Sequence, residues 1–89
     1  MTGYLVSSKA GHDKGKIYVI TAEEGEYVWL SDGKHKTIEA PKKKKKKHIQ
    51  IIKVYENADL RQRLIRKEEV SDDELVNFIR EYQCKQSKE

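Results

Sequence analysis

The chain has 89 residues, 38% of them charged and 36% hydrophobic, which suits one small domain with a modest core. Its net charge of +4 is unevenly spread: residues 1–55 carry 12 lysines against six acids, and residues 56–89 carry seven Lys or Arg against nine acids. A single cysteine, Cys84, excludes an internal disulfide, and no apolar run exceeds the length of Ile17–Ile20, far too short to cross a bilayer. The basic front half points to a polyanion as partner, nucleic acid before an acidic membrane surface. Met1–Val6 lacks the charged start and apolar block of a secretion signal, so a cytoplasmic location is expected.

Taken in order, Gly3–Ser8 is the first extended piece, with Tyr4, Leu5 and Val6 as strand formers. A turn bounded by Gly11 and Gly15 follows, and Asp13 favours it by bonding to its own backbone. Lys16–Glu23 is the second strand. Its two alternating sets, Ile17, Val19, Thr21 and Tyr18, Ile20, Ala22, are both largely apolar, so both faces are expected to be covered. Glu26–Ser31 is the third strand. Asp32-Gly33 is a hairpin signal, since both residues tolerate positive φ. Lys34–Ala40 reads as a polar fourth strand anchored by Ile38 and stopped by Pro41. Lys42–Lys47 is a run of six lysines, read as a solvated segment, and His48–Tyr55 is the fifth strand. Five short strands with turn signals between them predict a small barrel.

After Tyr55 the apolar period becomes helical. Asn57 caps a first helix with Leu60, Leu64 and Ile65 on one side. Ser71 and Glu74 form a capping box with a Val70–Leu75 staple, and Leu75, Phe78, Ile79 and Tyr82 follow the helical template. Gln83–Glu89 is expected to fray. The division predicted is a barrel over 1–55 and a helical extension over 56–89.

In a meander, alternate turns share an end. The turns at Gly11–Gly15 and Asp32–Lys36 therefore gather Lys9, His12, Lys14, Lys16, Lys34, His35 and Lys36 at one end, with Gly11, Asp13, Gly15, Asp32 and Gly33 as structural turn residues. The Glu23–Glu26 turn and the start of the lysine run belong to the other end. Such an arrangement suits phosphate contacts, with Lys42, Lys43, Lys44, Lys45, Lys46 and Lys47 lying along a nucleic-acid backbone and adding affinity without reading sequence. Tyr4, Tyr18, Tyr27, Trp29 and Tyr55 can stack on bases or serve as core. Arg63, Arg66 and Lys67 fall on one helix face and can extend the track. His12, His35 and His48 stand apart with no metal spacing, so no metal or cofactor is expected. No nucleophile has a recognisable base beside it, and the glycine turn lacks the spacing of a nucleotide cradle, so enzymatic activity is not expected.

Val6-Ser7-Ser8-Lys9-Ala10-Gly11-His12-Asp13-Lys14-Gly15-Lys16, followed by Ile17–Ile20, resembles a KOW motif, a glycine-lysine turn between two strands. Continued through Asp32-Gly33-Lys34, Pro41-Lys42 and His48-Ile49, the chain resembles the bacterial KOW-domain RNA-binding proteins. Those are similar to a large-subunit ribosomal protein family of archaea and eukaryotes. The resemblance spans roughly residues 3–55, with Gly15 at the motif's characteristic glycine. It implies a mainly β, five-stranded SH3-like barrel that binds structured RNA, ribosomal RNA first, without catalysis. Lys9, Lys14 and Lys16 match the family's basic turn. The expected function is thus a ribosome-associated RNA-binding protein, monomeric when free, with no membrane partner. The alternative is an SH3-like module that docks a ribosomal or other protein of the transcription or translation machinery.

Overall fold

A computed structural model describes residues 1–9, 15–54 and 57–87, the last three through their backbone only. The elements are β1 (Leu5–Ser8), β2 (Ile17–Glu24), β3 (Tyr27–Ser31), β4 (Lys42–Lys45), a 3₁₀ turn (Lys46–His48), β5 (Ile49–Lys53), α1 (Ala58–Ile65) and α2 (Asp72–Ser87). The strands form one antiparallel sheet in the order β4-β3-β2-β1-β5. The protein is therefore mainly β, five strands followed by two helices, as the turn spacing predicts.

The sheet cannot be flat. β4 and β5 are its two edges, yet only the 3₁₀ turn separates them along the chain. Four strand spacings span about 19 Å, whereas three residues of 3₁₀ helix advance about 6 Å. The sheet must curl until the end of β4 lies beside the start of β5. One hydrogen bond records this curl: the Lys44 ammonium of β4 donates to Ser8 Oγ of β1 at 2.6 Å, although β3 and β2 lie between these strands in the sheet order. The Lys9 N–H, donating to the His48 carbonyl at 2.9 Å, extends the β1–β5 ladder. A register shift between Ile20 and Ala22 in β2 adds to the bend.

The curl separates two cores. Val6, Tyr18, Ile20, Val28, Leu30 and Ile49 are buried together inside the sheet. Leu5 and Val19 point the other way and pack with Leu60, Val70, Leu75, Phe78 and Ile79 of the helical segment. Both faces of β2 are covered, as its two apolar sets require. The helices close over the outer face instead of reaching away. The radius of gyration, 12.0 Å, matches the roughly 12 Å expected of a compact chain this long.

Local chemistry places both helix starts. Asn57 Oδ1 accepts the Leu60 N–H at 3.0 Å. Ser71 Oγ accepts the Glu74 N–H at 3.3 Å, while Glu74 Oε2 accepts the Ser71 N–H at 2.9 Å, which completes the capping box. Val70 and Leu75 are both buried in the outer core, as the staple requires. α2 continues past Gln83, where fraying was expected, to Ser87.

Two sequence expectations are corrected. Lys34–Ala40 is not a strand. Asp32 Oδ1 accepts the N–H groups of Lys34, His35 and Lys36, each at 2.9 Å, and Asp72 Oδ1 takes that of Ile38 at 2.8 Å. Three consecutive donors aimed at one carboxylate cannot alternate toward a neighbouring strand. Instead, the lysine run supplies the fourth strand: Lys42–Lys45 pairs with Leu30, Trp29, Val28 and Tyr27. As an edge strand it suits lysine, which keeps foreign strands from adding there. The end of the run, not its start, therefore meets the acidic turn. Lys46 pairs with Glu23, and Lys45 lies 3.8 Å from Glu26.

Three carboxylates are held below their ordinary pKa. For Glu74 the causes are the Arg63 hydrogen bond first and the Ser71 N–H second; for Glu23 they are Lys46 and then the N-terminal ammonium. Burial alone would raise Asp32, but the backbone N–H groups of Lys36, Lys34 and His35, with the charge of His35, outweigh it. A depressed folded pKa means that the unfolded chain binds more protons as pH falls through this range. The stabilisation is complete above the ordinary carboxylate values and is lost below them. Thermal melts from about pH 6 to about pH 3 should show Tm falling with acid, and Glu74→Gln should flatten part of that slope. A Tm independent of pH there would contradict these contacts.

Candidate nucleic-acid interface

The β3–β4 connection builds the site. Asp32 gathers its three N–H donors into a tight loop, and Gly33 follows at φ 82°, a conformation that favours glycine. Asp32 itself contributes its side chain rather than a left-handed backbone. A Cβ on Gly33 would overlap the Asp72 carbonyl oxygen and approach Val76 Cγ2 to 2.8 Å, so the loop lies directly on the first turns of α2. Ser31 Oγ donates to the Thr37 carbonyl at 3.0 Å and ties the end of β3 to the same loop.

This docking opens a cleft of about 430 Å³ between three parts of the chain. Gly15, Lys16 and Ile17 come from the start of β2, Asp32, Lys34 and His35 from the loop, and Val76, Ile79, Arg80 and Gln83 from α2. Lys16, just before β2, and Lys34 and His35 of the loop thus line one cleft, whereas Lys9 and Lys36 do not line it. Among the described residues Asp32 is the sole acid lining the cleft, and one of its oxygens is committed to the backbone. Lys34 and Arg80 enter no ion pair among the described residues. Gly11, His12, Asp13 and Lys14, the remainder of the first turn, lie outside the described residues.

Arg80 and Gln83 were missed from sequence. The available signal was their spacing from Val76, at i+4 and i+7 on one helix face. That spacing does not say which part of the sheet the face meets.

Strand geometry divides the lysine run. Lys43 and Lys45 share the outer face with Trp29 and Tyr27, and the Lys43 ammonium sits 4.3 Å from the Tyr27 ring centre and 5.6 Å from that of Trp29. Lys42 and Lys44 turn toward the inner core beside Leu30 and Val28. Burial, and then the charge of Lys44, lowers the Lys42 pKa. Lys46 is engaged by Glu23, and Lys47 is exposed. The six charges therefore do not act as one solvated arm.

The other expected contacts are also redistributed. Arg63 bonds Asp59 at 3.1 Å and pairs with Glu74, clamping α1 to α2. Arg66 lies 3.8 Å from Glu68. Tyr18 belongs to the inner core and Tyr4 packs against it, while Tyr55 lies outside the described residues. A second cleft of about 520 Å³ includes Trp29, Ile38, Pro41, Leu64 and Val70, but Glu23, Glu24 and Glu68 line it against one cation, Lys67, so it does not suit an anion.

Among the described residues no group of His, Cys, Asp and Glu is arranged to hold a metal, and no helix is long and apolar enough to cross a membrane. The sequence matches no protein-family model and no curated protein.

Proposed function

We propose that the protein binds folded RNA, ribosomal RNA first, as a non-enzymatic module associated with the ribosome. The observation that carries this reading is the convergence of Lys16, Lys34, His35 and Arg80, from three parts of the chain, on a cleft whose one acid among the described residues, Asp32, has an oxygen committed to the backbone. Cations held by a rigid sheet and helix position a phosphate backbone at lower ordering cost than a mobile lysine tail would. The resemblance to KOW-domain proteins favours RNA over DNA or a membrane surface, and the strand order and curl agree with an SH3-like barrel.

Binding to a ribosomal RNA fragment, measured across a salt series, tests it. Three or four phosphate contacts predict a slope of log K against log salt of about −2 to −3, at about −0.7 per contact on single strands. Co-sedimentation with ribosomes at low salt and release at high salt is expected alongside. Salt-independent binding, or none at low salt, overturns the reading. The alternative, a protein-docking module, draws on the cleft around Trp29. A contact made there survives nuclease digestion, whereas one made through RNA phosphate does not.

A further inference from the structure

The basic cleft has a feature that phosphate binding leaves unused. Its floor is aliphatic: Ile17 of β2 and Val76 and Ile79 of α2 line the cleft and are less exposed than its cations. Ile79 is 8% exposed, and the other two are half-buried. A duplex backbone passing over the rim would leave that floor wet. The volume, about 430 Å³, exceeds what one phosphate fills and lies in the range of about 300–1,000 Å³ typical of small-ligand sites. A cationic rim around an apolar floor matches the two halves of a nucleotide, an anionic phosphate and a flat apolar-faced base.

We propose that this cleft receives one unpaired RNA nucleotide, its base against Ile17, Val76 and Ile79 and its flanking phosphates at Lys16, Lys34 and Arg80. The inference rests on the RNA-binding reading and specifies its substrate. Among the described residues no aromatic lines the cleft, so the base gains aliphatic contact and not ring stacking. That smaller gain does not repay pulling a paired base from a helix, which costs a few kcal/mol. The preferred substrate is therefore a nucleotide already extruded, as in a single-base bulge.

Three RNA hairpins with the same stem provide the test: fully paired, with a one-nucleotide bulge, and with the bulged position lacking its base. The bulged RNA should bind about fivefold more tightly than the paired one, the low end of the gain measured for bases stacked on proteins. The abasic bulge should lose that preference. 2-Aminopurine at the bulge should change its emission on binding to the intact protein, and Arg80→Gln should reduce the saturated change at matched occupancy. Equal affinity for paired and bulged RNA, or an abasic bulge binding as tightly as the intact one, overturns the proposal while leaving RNA binding intact. Failure of all three RNAs to bind overturns the RNA reading as well.

Discussion

Replacing Lys16 and Lys34 together by glutamine should weaken RNA binding about 25-fold at about 0.1 M salt. It should also reduce the steepness of the salt dependence by about 1.4. Both figures follow from counterion release. Each lost phosphate contact removes about 0.7 from the slope, and at about 0.1 M salt that is about a fivefold loss. Both side chains are exposed at the cleft, so the fold should survive, which circular dichroism would verify. Lys43→Gln with Lys47→Gln removes the same charge from the lysine segment and should cost less than about threefold, because neither side chain lines the cleft and Lys43 lies over the Tyr27 ring. If the second pair matters as much as the first, the lysine strand and not the cleft holds the RNA.

Replacing Gly33 by alanine should destabilise the protein by about 2–4 kcal/mol, lowering Tm by roughly 10–20 °C. Two penalties act together. Alanine is disfavoured at φ 82°, and its methyl group meets the Asp72 carbonyl and Val76. The loop would have to lift off α2, loosening the Ile38–Asp72 hydrogen bond and opening the cleft. Gly15→Ala is the matched control. Gly15 has φ 86° but nothing lies within 4 Å of the added carbon, so only the backbone term of about 1–2 kcal/mol applies. Equal Tm losses for the two variants would show that the loop does not press on α2.

Much of the scaffold was legible because short-range rules govern it. Ser71 and Glu74 are three residues apart, and that spacing alone defines the reciprocal cap later seen at α2. The two apolar sets of β2 required two covers, and the inner core and the helices provide them. Asp32-Gly33 marked the correct place for a chain reversal. What followed was misread, because a carboxylate that binds three successive N–H groups makes a long loop instead of a two-residue hairpin. The lysine run was misread for the opposite reason. Six like charges favour a solvated segment when considered alone, but the edge of β3 away from β2 needed a partner and its aromatic outer face accepts ammonium groups.

The sequence by itself determined the β-then-α order, the helix caps, the basic front half and the covering of both faces of β2. Only the tertiary structure decided that α2 lies under the Asp32 loop, that Arg80 joins the cations there, and that Lys42–Lys45 is an edge strand whose charges are split between two faces. Caps and turns are settled within three or four residues along the chain. The place of a strand in the sheet, and the side of a helix that meets a loop, depend on which surfaces remain unpaired after every other element has packed.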